Sequence, residues 1–276
     1  MTLSLRHNEE DHAREALVTQ ATVKYQRDGR IAFISLNRPH VLNAVDRTLE
    51  RELVHALGLF DRDDEAWVAI LHGTGRAFCV GADVKERFFQ SGPRQRELEW
   101  GMGQNPEGFL GRCINWKPVI AAVHGYCLAW GLLIAVECDL LVASEETLFG
   151  LTETLRGFPG GAAWAKLHTF MPSKIATEML LTGEAKSAGE LYRLGLINRL
   201  VPQGEHLEAA KEMAHKILKA PPLAVRSGVR VTRWPWVRRA AEADYFQAPL
   251  KLHLSEDFEE SSNAFVEKRE PKYKGR

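Results

Sequence analysis

The 276 residues, 45% of them apolar, suffice for one large domain or two small ones around a sizeable buried core. Thirty-six basic residues balance thirty-six acidic ones, so no global field favours nucleic acid or an anionic membrane, and any anionic ligand must be met by local charge. No apolar run reaches the roughly 18 residues of a membrane span. The four cysteines, Cys79, Cys113, Cys127 and Cys138, lack paired metal-type spacing. They read as reduced core thiols in an intracellular, cytoplasmic protein rather than as a disulfide framework or a zinc site.

Residues 1–17 mix Arg14 with Glu9, Glu10, Asp11 and Glu15, which reads as a polar tail and not as a signal or transit peptide. From residue 18 two hydrophobic periods alternate. Residues 31–36, 67–71, 119–123 and 139–143 are short β-branched runs, as expected of strands buried on both faces. In 46–60 the residues Leu49, Leu53, Ala56, Leu57 and Phe60 recur at three- and four-residue steps, which predicts an amphipathic crossover helix. Strand, helix, strand in repetition gives an α/β fold with a parallel sheet. Residues 84–116 break the pattern with Ser91-Gly92-Pro93, Gly101, Gly103, Asn105-Pro106 and Gly108. They carry Phe88, Phe89, Trp100, Met102, Phe109 and Trp116, and read either as the wall of a ligand pocket or as an ordinary surface excursion. After residue 205 helix dominates, with Leu207, Met213, Ala214, Ile217 and Leu218 on one face and a stop at Pro221-Pro222. The division expected is a tail at 1–17, a core at 18–204 and a helical region at 205–276 for packing and oligomerisation.

Two stretches could hold an oxyanion. In 117–139 a buried strand passes through His124-Gly125 and an apolar helix starts near Ala129 to Gly131, which leaves backbone N–H groups and a partial positive charge inside the protein. In 75–86 the glycines at 75 and 81 let the backbone approach a ligand closely. Two N–H groups from different segments would make an oxyanion hole. Neither stretch is a nucleotide fingerprint.

From about residue 20 onward the chain resembles the enoyl-CoA hydratase/isomerase (crotonase) family. Four segments carry the resemblance: Leu36-Asn37-Arg38-Pro39 with Asn43-Ala44; Ala77-Phe78 with Gly81-Ala82-Asp83; Lys117-Pro118-Val119-Ile120-Ala121-Ala122-Val123 with Gly125; and Phe149-Gly150 with Glu153, Gly157 and Pro159-Gly160. The segment Ala264-Phe265-Val266-Glu267-Lys268-Arg269 resembles the family's closing helix. The resemblance implies a ββα spiral core, a homotrimer or dimer of trimers, and coenzyme A as part of a thioester substrate, with no metal, flavin or nicotinamide. It also implies that the N–H groups of Ala82 and Trp130 polarise the thioester carbonyl. Trp130 stands where the family usually has glycine, in a Gly-Gly-Gly run that here reads Ala129-Trp130-Gly131.

Hydratases of the family normally use two glutamates. Here the first position is Leu133 and the second is Glu153, the candidate for proton transfer, whose basicity an apolar pocket would raise. A lone carboxylate can be base and then acid, which favours double-bond isomerisation. The alternatives are a hydratase, lyase or hydrolase for an aromatic or cyclic acyl-CoA, motivated by Trp100, Trp116 and Trp130, and a catalytically impaired acyl-CoA-binding protein. Glu137 and Glu146 are rival acids, and His124 reads as structural. The resemblance further assigns Arg38, His40, Asn43 and Ala44 to the coenzyme's phosphates and pantetheine, and Phe265 and Lys268 to its adenine-ribose end.

Overall fold

A computed structural model describes residues 21–100, 116–158 and 160–276. The tail at 1–17 and Gly101, Met102, Gly103, Asn105, Pro106, Gly108, Phe109, Cys113 and Pro159 lie outside the described residues, as does the side chain of Trp100.

Strands β1 (Val23–Asp28) and β2 (Ile31–Leu36) form an antiparallel hairpin turned at Gly29, whose φ is 55°. Helix α1 (Arg47–Arg62) follows, started by the Asp46 carboxylate, which accepts from Leu49 N at 2.7 Å. It buries the same five apolar positions that its periodicity marks. Next come β3 (Val68–Gly73), a π-helical turn at Lys85–Phe89, α2 (Pro93–Trp100), β4 (Val119–Val123), β5 (Tyr126–Leu128) and α3 (Trp130–Glu137). The chain continues through β6 (Leu140–Ser144), β7 (Leu148–Gly150), a 3-10 turn at Thr154–Arg156, α4 (Gly161–Phe170), α5 (Ser173–Thr182), β8 (Lys186–Ser187), α6 (Ala188–Arg193) and β9 (Arg199–Val201). Helices α7 (His206–Ile217), α8 (Pro222–Gln247) and α9 (Glu256–Glu267) complete it.

The strands form a six-stranded sheet in the order β1-β2-β3-β4-β6-β9, parallel from β2 onward, and a three-stranded sheet in the order β5-β7-β8. The runs β4-β5-α3 and β6-β7-α4 each give one strand to each sheet and then a helix. That repetition is the ββα spiral expected from the sequence. Bridges at Val45–Ala82 and Cys79–Cys127 extend the second sheet's pairing to earlier turns of the spiral.

Both faces of the large sheet are covered, which explains why its strands read as unbroken apolar runs. On one face Leu36, Ala69, Leu71, Ala121 and Val123 join α1 and α3 in the main core. On the other, Ile31, Val68, Ile70, Ile120, Ala122 and Val142 lie under Ala209, Ala210 and Ala214 of α7. Helix α8 is anchored by Arg233, which is buried and donates to both carboxylate oxygens of Asp139 (2.8 and 2.5 Å) and to Lys117 O (3.0 Å). Its other side leaves Val231, Trp234, Tyr245 and Phe246 exposed.

Candidate active site

Two segments are zipped together at the heart of the fold. Phe78 N donates to His124 O (2.9 Å), Cys79 N to Tyr126 O (3.1 Å) and Leu128 N to Cys79 O (2.9 Å). Glycines permit the close approach. A Cβ on Gly131 would sit 2.3 Å from Cys79 O, and one on Gly81 would sit 2.7 Å from Ala129 Cβ and 3.5 Å from Trp130 N. Ala82 therefore follows a residue that touches the start of α3.

Val45 binds the neighbours of Ala82, donating to Gly81 O (2.7 Å) and accepting from Asp83 N (3.0 Å). In such a bridge the N–H of the middle residue points to the opposite side. Trp130 is the first residue of α3, where N–H groups project from the helix end with the positive pole of its dipole. Ala129, just before it, has φ 49° and ψ −121°, a region that strains any residue with a Cβ. Its N–H is held by Gly150 O at 2.8 Å. The two segments that carry these backbone N–H groups therefore lie hydrogen-bonded side by side.

Glu153 comes from the turn after β7. Arg156 N and Phe158 N bond to its carbonyl (2.9 and 3.0 Å), and Gly157, at φ 66°, closes the turn. Thr154 Oγ1 ties the turn to Leu180 O of α5. A Cβ on Gly160 would press on Leu180 Cδ1 at 2.9 Å and touch Glu153 Cβ at 3.4 Å. The residue as a whole is half-buried, but Oε2 is inaccessible and has no hydrogen-bond partner among the described residues. Burial pushes the carboxyl up from 4.5 to about 7, outweighing the backbone N–H groups of Glu153 and Thr152, which pull it down. A carboxyl that titrates near neutrality is suited to take a proton and return it.

Aromatic rings join these parts. Phe88 stacks on Phe158 at 5.5 Å and meets Phe258 edge-on at 5.3 Å, and Ala82, Val84 and Trp130 pack against the trio. The Arg87 guanidinium lies 4.7 Å over the Trp130 indole while pairing with Glu50 at 2.6 Å. Of the residues expected to wall a pocket, Phe88 is buried in this cluster. Phe89 is exposed, and Trp116 lies beside Arg230 of α8, 5.9 Å from its guanidinium.

Residues 26–276 match the family model described as enoyl-CoA hydratase/isomerase. The chain belongs to the enoyl-CoA hydratase/isomerase family. It is 36% identical to a mevalonyl-coenzyme A hydratase of Aspergillus fumigatus over 88% of this chain and 91% of that one. It is 32% identical to the (E)-benzylidenesuccinyl-CoA hydratase of Thauera aromatica over 92% and 99%. Its fold superposes on the crystal structure of a carnitinyl-CoA hydratase from Mycobacterium avium with a TM-score of 0.76, at 33% identity over 93% of this chain and 100% of that one. It is therefore an enzyme of the hydratase/isomerase type, and its neighbours share the crotonase fold.

Within this family member the rival acids are accounted for. Leu133 is buried in the main core, so no carboxylate stands one turn into α3. Glu137 is fully buried and paired with Lys166 at 2.6 Å, and the ammonium lies 4.9 Å from the Trp236 ring. Glu146 is exposed in a turn. His124 donates from Nε2 to Gly75 O at 2.9 Å and stacks on His206 at 4.5 Å, bracing the loop that leads to Ala82.

The residues expected at the coenzyme divide in two. Arg38 and Asn43 turn inward, because each has strong partners inside the protein. Arg38 donates to Ala44 O (2.6 Å) and pairs with Asp46 and Asp83 (3.1 Å each). Asn43 is fully buried, donates to Thr74 O, Ala77 O and Phe78 O, and accepts from Arg38 N. Both side chains brace the loop before Ala82 instead of facing solvent, and Ala44 is buried beside them. His40, on the 3-10 turn Pro39–Val41, and Lys268, just after α9, are exposed. Phe265 is half-exposed with the Arg156 guanidinium 4.3 Å from its ring. Arg87, Phe158 and Phe258 escaped the sequence reading. Only Arg87 had a local signal, as the cation beside Phe88-Phe89.

Proposed function

We propose that the enzyme stabilises the enolate of an acyl-CoA thioester between the N–H groups of Ala82 and Trp130, with Glu153 as the group that moves the proton. The observation that carries this is the buried, unpartnered Oε2 of Glu153 on a turn that shares an aromatic cluster with both donor segments. With Leu133 at the position of the second glutamate, the reaction best supported is double-bond isomerisation. The Glu153 carboxylate removes a proton from the carbon next to the thioester of a 3-enoyl group. The dienolate oxygen is held by the two N–H groups, and the Glu153 carboxyl then returns a proton at the far end of the diene. The proton balance closes on one residue.

Hydration is the second reading, and the relatives' names favour it. It would act on a compact or aromatic acyl group, because the Trp130 indole, capped by Arg87, fills space beside the hole. Trp130→Gly is expected to shift relative kcat/KM about tenfold or more toward longer acyl chains, since each methylene accommodated in an apolar pocket changes the ratio by that order. Unchanged ratios across a chain-length series would remove Trp130 from the acyl pocket.

The reactions are separated by incubation with 2-enoyl- and 3-enoyl-CoA thioesters in deuterated water, followed by mass spectrometry. Conversion of the 3-enoyl to the 2-enoyl thioester without gain of water, resolved chromatographically and with or without deuterium uptake, establishes isomerisation. Gain of water establishes hydration and directs the search to what replaces Leu133. Neither change in any thioester, with coenzyme A still bound, defeats both readings. For the coenzyme, exposed His40 and Lys268 are better placed to meet phosphates than the inward Arg38. The exposed apolar side chains of α8 support a homotrimer or dimer of trimers.

A further inference from the structure

The last residues of the chain double back onto the turn that carries Glu153. Lys268 turns the backbone left-handed at φ 56°, and Arg269 then grips both oxygens of Glu260 (2.5 and 2.9 Å). Lys272 N donates to Glu260 (2.7 Å), while Lys274 N and Gly275 N donate to Asp257 (2.6 and 2.8 Å). Laid along α9 in this way, the strap delivers the Tyr273 hydroxyl to Leu155 O at 2.9 Å. Ser261 reaches the same carbonyl from α9 at 3.4 Å.

Leu155 lies within the 3-10 turn Thr154–Arg156, two residues after Glu153. The contacts continue along that turn. Arg156 lies over Phe265, and Gly157 backs onto α9 so closely that a Cβ there would stand 3.2 Å from Phe258 Cα. Leu155, Arg156 and Gly157 are thus held by the C-terminal segment. Glu153 Oε2 has no hydrogen-bond partner among the described residues, and the carboxyl is bonded by the backbone N–H groups of Glu153 and Thr152. Its placement therefore depends on the backbone of the turn, and the proton-transfer chemistry gives the strap no other task.

We propose that Tyr273 is a positioning residue for Glu153, the tip of a C-terminal strap that presses the Thr154–Arg156 turn inward and fixes the depth of the carboxylate. The inference rests on Glu153 being the proton-transfer residue. Tyr273→Phe removes only the hydroxyl, and Tyr273→Ala removes the ring as well. Both are made in the full chain and assayed as kcat and KM against pH with the best thioester substrate. The expected result is a fall in kcat of about two- to tenfold for Tyr273→Phe, the range one hydrogen bond spans, with KM within about twofold. The limb of kcat near pH 7 should move toward lower pH in both variants as water reaches the carboxylate, and further in Tyr273→Ala. An unmoved limb overturns the inference, whether kcat is unchanged or reduced, and so does a change confined to KM. If Glu153→Gln keeps turnover, the base assignment itself has failed. If Glu153→Gln is inactive while the Tyr273 variants keep the parent profile, only the strap has.

Discussion

Glu153→Gln is expected to lower kcat by about 10²- to 10⁴-fold, the usual contribution of a positioned general base, while coenzyme A affinity stays within a few-fold. Glutamine keeps the shape and removes the charge. The same substitution should stabilise the protein at neutral pH. Burial raises the Glu153 carboxyl from 4.5 to about 7, so between those values the folded protein holds a proton that the unfolded chain has lost. Stability contributed by the protonated carboxyl is complete below 4.5 and is lost as pH climbs through about 7. At pH 8 the ionised, desolvated group weakens the fold by on the order of 2–3 kcal/mol, which glutamine would relieve. Denaturant midpoints of the two proteins should therefore converge at pH 4.5 and separate at pH 8. Activity should run the opposite way, with kcat/KM rising through about pH 7 as the base ionises. A parent profile flat from pH 5 to 9 would be incompatible with Glu153 as the base.

Gly131→Ala is expected to have the second-largest effect, and its sign decides between two forces. Helix propensity alone would favour alanine by about 1 kcal/mol. The added Cβ would meet Cys79 O at 2.3 Å and Cys79 C at 2.9 Å, and both are backbone atoms that cannot step aside. Overpacking of that kind costs on the order of 3 kcal/mol, so packing wins. Relief would require α3 to move from Cys79, carrying Trp130 N out of register with Ala82. Loss of one oxyanion donor lowers kcat by about 10²- to 10³-fold. Both the urea midpoint and kcat should fall, and an alanine variant with parent-like values of each would show the helix start to be free to shift. Two residues earlier the logic reverses. Ala129 holds φ at 49°, so Ala129→Gly should raise the urea midpoint, by about 1 kcal/mol of stability.

The long elements were legible because their environment is simple. Strands β2, β3, β4 and β6 are covered on both faces and α1 on one, and each leaves the corresponding period in the sequence. Strands β5, β7 and β8 are two or three residues long and exist only through pairing with other turns of the spiral, so no local window contains their signal. The same division runs through the site. Glu153 and the glycine-bounded donor segments stand in local motifs. Which way a side chain points is another matter: Asn43 sits at φ 58° and is drawn under its loop, and Arg38 is captured by Asp46 and Asp83, the latter 45 residues away. Phe258 and Tyr273 come to the Glu153 turn from more than a hundred residues along the chain.

In the proposed function, residue 130 divides two jobs between two parts of one amino acid. The backbone nitrogen is set by the ladder to Cys79 and by the glycine that follows, neither of which senses what side chain residue 130 carries. The indole faces Arg87 and the phenylalanine cluster and also packs against the main core. A lineage can therefore exchange this side chain for glycine, or for another ring, and change which acyl groups fit without rebuilding the electrophile's support. Chemistry and selectivity, so arranged, can be inherited apart even though they share a codon.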